Sequence, residues 1–111
     1  VKKYMAEIDF SQPVRRVHDL VRGMNPAPVA FTSFGGAPVK VWKTSPVCPY
    51  EADIENAEPG QCVIADPKRG LFVKCGDGLI ELVELQFAGS KRMPAKAALN
   101  SKKLLGLVAG R

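Results

Sequence analysis

The stretch QCVIADPKRGLFVKCGDGLIELVELQF, residues 61–87, decides the fold. Its runs QCVIA, LFVKC and LIELVELQF are rich in β-branched and apolar residues, the composition of short strands. Between them stand DPKRG and GDG, whose aspartates and glycines tolerate the backbone angles of tight turns. Three consecutive strands joined by short turns are predicted.

The pattern extends upstream. VAFTSF (29–34) and PVKVWKT (38–44) read as two more strands, and GGAP (35–38) as the hairpin turn joining them. The proline-rich, acidic segment 45–61 reads as a strand fragment and a long loop that ends in a Pro59-Gly60 turn. Ahead of the strands lies one helix, predicted over 13–25. Ser11 is a candidate N-cap and Pro13 suits the first turn. Val14, Val17, Leu20 or Val21, and Met24 form its apolar stripe. Asn25-Pro26 ends it, since a proline disfavours helical geometry in the residue before it. Residues 1–10 read as the end of an interdomain linker or as a lead-in strand. Downstream, MPAKAALNSKKLLG (93–106) reads as a short terminal helix. The sum is a mainly β chain of five or six short strands with one preceding helix and a short C-terminal helix. Curling such a sheet into a barrel removes exposed edges.

At 111 residues the chain is expected to form a single domain, 1–111. Its formal charge is +5, and the distribution is more informative than the total. Residues 1–50 hold seven cations and three acids, residues 51–85 three cations and eight acids, and residues 86–111 six cations and no acid. A chain polarised in this way can present a positive face. Aromatic content of 7% argues against an extended base-stacking platform. Cys48, Cys62 and Cys75 are scattered and odd in number, and His18 is the one histidine. No metal site is expected from that set, and a reducing, cytoplasmic location fits it. No membrane partner is expected either, because no stretch approaches a spanning length.

No catalytic constellation emerges. His18 has only Asp19 beside it in sequence, and helix neighbours point in different directions. Glu81 and Glu84 differ by an odd number, so on a regular strand they face opposite sides. FGGAP and KCGDG are glycine turns without the spacing of a phosphate-cradling loop. The cations are the sharper signal. Lys91 and Arg92 follow the Gly89 turn directly after the last strand, with Lys96, Lys102 and Lys103 beyond. Cations fixed by a strand lose little ordering entropy when they meet phosphates. On a regular strand Lys40 and Trp42 share one face and Lys43 takes the other. Trp42, placed among valines, reads as core or barrel-surface packing, with stacking on a base as the alternative.

Two motifs carry a resemblance. LVRGMNPAPVAFTSFGGAPVKVWKT holds Arg22, Asn25, Pro26, Pro28 and Lys40 in the pattern Arg-x-x-Asn-Pro-x-Pro followed by a lysine-bearing strand. LQFAGSKRM holds Gln86, Gly89, Lys91 and Met93 in register. Together they resemble the C-terminal domain of the methionyl-tRNA formyltransferase family over about residues 8–106. Ser90 stands where that family usually has lysine, and Ser101 where it usually has glycine. The resemblance implies an OB-like Greek-key barrel that binds initiator methionyl-tRNA non-specifically. Lys91, Arg92, Lys40, Lys43, Arg22, Lys96, Lys102 and Lys103 become the candidate tRNA contacts. It also implies an N-terminal catalytic domain in cis, which would hold the 10-formyltetrahydrofolate donor. No cofactor and no catalytic residue is expected in this domain. The alternative is a structural or oligomerising domain of a sugar or folate formyltransferase relative with no RNA role.

Overall fold

Gly35 and Gly36 have φ of 58° and 80°, the left-handed pair that a two-residue hairpin requires. They join strand β1 (Phe31–Phe34) to β2 (Ala37–Ser45). In this computed structural model, residues 3–111 are described, with side chains from Met5 onward; Val1 and Lys2 of the predicted linker or lead-in strand lie outside the described residues. Further along the chain come β3 (Cys62–Asp66), β4 (Gly70–Lys74), β5 (Leu79–Phe87) and β6 (Met93–Pro94). Helix α1 (Val14–Gly23) precedes the strands and α2 (Ala95–Ala98) follows them.

All pairings between these strands are antiparallel, in the order β1-β2-β5-β4-β3. Strand β5 is the shared member. One edge pairs with β2 from Glu81 to Phe87. The other pairs with β4 through Leu79–Leu82 and then with β6 at Glu84 and Leu85. The sheet curls into a half-barrel, and β1 and β3 are its edges. The C-terminal segment bridges them. Cys62 N donates to Leu107 O at 2.8 Å and Ala109 N to Gly60 O at 2.8 Å, on the β3 side. Gly110 N donates to Ser33 O at 2.9 Å and Gly36 N to Arg111 O at 2.9 Å, on the β1 side. Edge groups that would otherwise invite another chain are thereby occupied.

The main core lies inside the curl. Val39, Val41, Leu71, Val73, Ile80, Leu82 and Leu85 meet Val17 and Val21 from α1, and Ala95, Ala98 and Leu99 from the region of α2. Each such aliphatic side chain contributes roughly 1.5–3 kcal/mol by leaving water. A smaller cluster of Ile64, Phe72 and Leu79 sits on the other face, covered by Cys48 and Ile54 of the loop 46–61.

Several local expectations change. Ser11 does not cap α1, because its amide and hydroxyl are both engaged by Asp9 Oδ1 at 3.0 and 2.6 Å. These bonds hold the Asp9 carboxyl below its ordinary value. The first free amide of the helix, Val14 N, instead donates to Asp77 Oδ1 at 2.7 Å, from the β4–β5 turn. The helix ends at Gly23, two residues earlier than predicted. Residues 3–6 form one 3-10 turn, and the chain then touches β1 through a parallel bridge between Glu7 and Phe31. No regular strand forms in segment 46–61. The terminal helix shrinks to four residues: Met93 and Pro94 are drawn into pairing with β5, and from Leu99 the chain runs on in turns.

The β4–β5 turn packs against the start of α1 without room to spare. Gly76 N donates to Gln12 O at 2.9 Å, and a Cβ at Gly76 would stand 2.4 Å from Ser11 O. Gly76→Ala is expected to cost roughly 1–3 kcal/mol through overpacking. Gly23→Ala, with nothing within 4 Å of its Cβ position, should be neutral or stabilise by up to about 1 kcal/mol. Urea unfolding of both variants checks the contrast, and equal midpoints would contradict it.

Candidate functional site

Strands β2 and β5 slip register twice at one place. Val41 stands opposite Leu85, Lys43 opposite Glu84, and Thr44 opposite Leu82. Trp42 is therefore an extra residue on β2 and Val83 an extra residue on β5. Such paired bulges restore the register beyond them while inverting side-chain parity between them. The consequence is visible in burial: Val39, Val41 and Thr44 point inward, whereas Lys40 and Lys43 are both exposed. Lys43 thus joins Lys40 on the outer face instead of opposing it. Glu81 and Glu84, each half-buried, share that outer face as well, because Leu82 and Leu85 both enter the core. The polar positions 40 and 43, and 81 and 84, are three apart where a regular strand gives two. That spacing was the available signal.

The bulge is held from α1. Asn25 Nδ2 donates to Trp42 O at 3.0 Å and to Val21 O at 2.9 Å. The carbonyl freed by the bulge is thereby satisfied, and the end of the helix is tied to β2. On the same element His18 Nδ1 shares a 2.7 Å hydrogen bond with the buried Thr44 Oγ1. Burial, then Arg22 and Arg15, push the His18 pKa down. Its ring is part of the helix–sheet seam.

Around Trp42 the outer face is ordered by polar contacts. Trp42 Nε1 donates to Gln86 Oε1 at 3.0 Å, and Gln86 Nε2 to Ser90 O at 3.1 Å. The latter bond fixes the turn that precedes Lys91. The Arg92 guanidinium lies 4.4 Å from the Trp42 ring centroid and pairs with Glu84. Elsewhere, Arg22 pairs with its helix neighbour Asp19 at 3.8 Å. Lys96 on α2 runs beside Gly70, where Glu81 Oε2 also lies. Lys102 Nζ sits 4.3 Å from the centroid of Phe87, and Lys103 is exposed.

The sequence-predicted cations are therefore only partly brought together. Lys40, Lys43 and Arg92 share the outer face of β2–β5, with Lys91 in the adjoining turn. Arg22, Lys96 and Lys103 belong to other elements. A consistent division runs through the set. In each ion pair among the described residues the cation is an arginine: Arg22, Arg69, Arg92 or Arg111. The six candidate lysines take part in none of them.

Other chemistry is sparse. Among the described residues no group of three or more His, Cys, Asp or Glu could hold a metal ion. Burial pushes the Cys62 and Cys75 thiols up to about 12, which makes them inert core residues. Among the described residues no helix is long and apolar enough to cross a membrane.

A family model described as the C-terminal domain of formyl transferases matches residues 1–103. The methionyl-tRNA formyltransferase of Ruminiclostridium cellulolyticum is 41% identical over 107 residues, covering 94% of this chain and 32% of that protein. That of Chromobacterium violaceum is 40% identical over 104 residues, with 94% and 32% covered. The chain thus spans about a third of the length of these curated relatives. Among solved structures, a variant of HypX from Aquifex aeolicus superposes with a TM-score of 0.70 at 16% identity, covering 90% of this chain and 17% of that one. HypX in complex with tetrahydrofolic acid gives 0.68 at 16% identity, covering 89% and 17%. At that identity the likeness is one of fold.

Asn25→Ala leaves two carbonyls without their amide donor and should cost roughly 1–3 kcal/mol, read by thermal or urea unfolding. A loss under 0.5 kcal/mol would show that the bulge does not depend on it. The depressed His18 pKa means that the unfolded chain takes up a proton there first as pH falls. Its contribution is present above the ordinary histidine value of about 6.5 and is lost on acidification through the lower folded value. His18→Gln should flatten the stability profile as pH falls through and below about 6.5; an unchanged profile would contradict this.

Proposed function

The chain belongs to the formyl transferase C-terminal domain family, and from that membership we propose that it is the RNA-holding part of a methionyl-tRNA formyltransferase. The observation that carries this reading is its identity of about 40%, over 94% of its length, to enzymes of that name. The parent protein would move a formyl group from 10-formyltetrahydrofolate to the methionyl amine of initiator tRNA in the cytoplasm. Its catalytic residues and folate site would lie in a preceding domain in cis. The part described here would hold the tRNA through its phosphates.

Candidate contacts are Lys40, Lys43, Lys91, Lys96, Lys102 and Lys103, with Arg22 and Arg92 in supporting places. The lysines make no described ion pair, so their charge is available to phosphates. Each phosphate neutralised releases counterions, and affinity then falls with salt. Arg92 already faces Glu84 and Trp42, so RNA would have to compete for it. A second reading has the barrel packing on protein in a relative without an RNA role. The likeness of fold to HypX favours that reading only as far as the architecture goes.

Binding of this chain to initiator tRNA across a salt series separates the two. A linear fall of log affinity with log salt is expected, with the slope reduced by about one for each of Lys40→Ala and Lys91→Ala and by less for Lys43→Ala, which stands opposite Glu84. Arg92→Ala should change the slope less than Lys91→Ala does. Absence of binding at low salt, with a stable dimer in solution, would favour the packing role.

A further inference from the structure

Among the described side chains one aromatic ring on this surface has no aromatic or cationic partner. Cations stand over Trp42, Tyr50 and Phe87, Phe72 packs edge-on against Tyr50 at 5.6 Å, and Phe10 and Phe34 are buried. Phe31 is partly buried and keeps some of its surface exposed. It belongs to neither hydrophobic cluster, and among the described side chains no ring or cation is stacked on it. It lines a groove of about 340 Å³ at the end of the β1–β2–β5 strip, with Val29, Val39 and Phe87 as further walls and Ala88 at the rim. That volume falls in the range of small-molecule sites, roughly 300–1,000 Å³. Lys40 stands directly opposite Phe31 in the β1–β2 register, is exposed, and also lines the groove. No acidic side chain lines it.

We infer that this groove takes one unstacked nucleotide of a bound RNA, with the base lying on the Phe31 ring and its phosphate on Lys40. The inference deepens the RNA-holding reading and rests on it. An apolar wall with a partly exposed ring suits the flat face of any base. The unpaired ammonium beside it complements the charge that accompanies every nucleotide. Gln86, at the rim, has its amide oriented by its bonds to Trp42 and Ser90. Stacking on an apolar ring face is tolerant of base identity. Phe31 lies outside the core, so its replacement leaves the packing that maintains the fold.

The test uses the whole chain and two probes. Adenosine 5′-monophosphate should shift the NMR signals of the Phe31 ring and the Val39 methyls, ribose 5-phosphate should not, and Phe31→Ala should abolish the response. With initiator tRNA, Phe31→Ala should weaken binding by about fivefold to a hundredfold with the salt slope unchanged. Phe31→Trp should restore it. Lys40→Ala should lower both affinity and slope. Shifts no larger with adenosine monophosphate than with ribose 5-phosphate would overturn the stacking site. So would amide protection of residues 31–39 in the parent protein without RNA that exceeds their protection in this chain alone, which would assign the groove to a protein partner. The mononucleotide titration decides the groove by itself. Failure of the wild-type chain to bind tRNA at any salt would instead overturn the RNA-holding reading.

Discussion

Strand β5 is hydrogen-bonded on both edges, and the matched bulges at Trp42 and Val83 lie where β2 crosses it. The rest of the outer surface follows from this constraint. If β2 and β5 paired without slipping, a core running from Val39 and Val41 to Thr44 would not stay on one face, and Lys43 would be driven inward. Burying that ammonium without a partner would cost several kcal/mol. Two extra residues, one per strand, resolve the conflict and keep Val41 opposite Leu85 and Thr44 opposite Leu82 in the core. The price is a backbone carbonyl outside the ladder at Trp42, which the Asn25 amide satisfies. Helix α1 is thereby fixed at one end by Asn25 and at the other by Asp77. Each anchor joins the helix to a strand or turn distant in sequence, β2 through Asn25 and the β4–β5 turn through Asp77.

How much of this was legible follows the range of each interaction. Gly35-Gly36, the glycines around Asp77, and the runs at 62–66, 70–74 and 79–87 are local signals, and the strands form where they indicate. The family motifs were likewise readable, and Asn25 and Gln86 turn out to hold the bulge and the Lys91 turn. Ser11 misled because two acceptors competed for its role: Asp9, two residues away, captures its hydroxyl, and Asp77, 63 residues from Val14, supplies the cap. The terminal helix was overestimated because its alanines and lysines favour helix, while pairing of Met93 and Pro94 with β5 is a tertiary effect that propensity cannot contain. The facing of Lys43 and Glu84 required noticing a spacing of three in two strands at once. Phe31 gave no signal, since only the placement of the other rings distinguishes it.

The acid-free character of residues 86–111 is a property of the sequence and only partly of the surface. Strand β5 brings its own carboxylates beneath the cations that follow it. Glu84 lies opposite Lys43 and pairs with Arg92, and Glu81 reaches the side of Lys96 over Gly70. At that end of the outer face the charges offset one another over short distances, and their attraction for a distant phosphate is correspondingly weak.

The opposite end differs. Lys40 faces Gln86 across the strands, Lys102 lies over Phe87, and the Lys91 turn is held by a neutral amide. No carboxylate stands among these groups in the described ion pairs. The cations without acidic neighbours therefore collect where β1 and β2 meet the end of β5, beside the groove that Phe31 lines. A polyanion approaching this end meets lysines that take part in no described ion pair. Phosphate attraction and the open aromatic ring thus coincide at one end of the sheet, and the choice of glutamine over glutamate at position 86 maintains that coincidence.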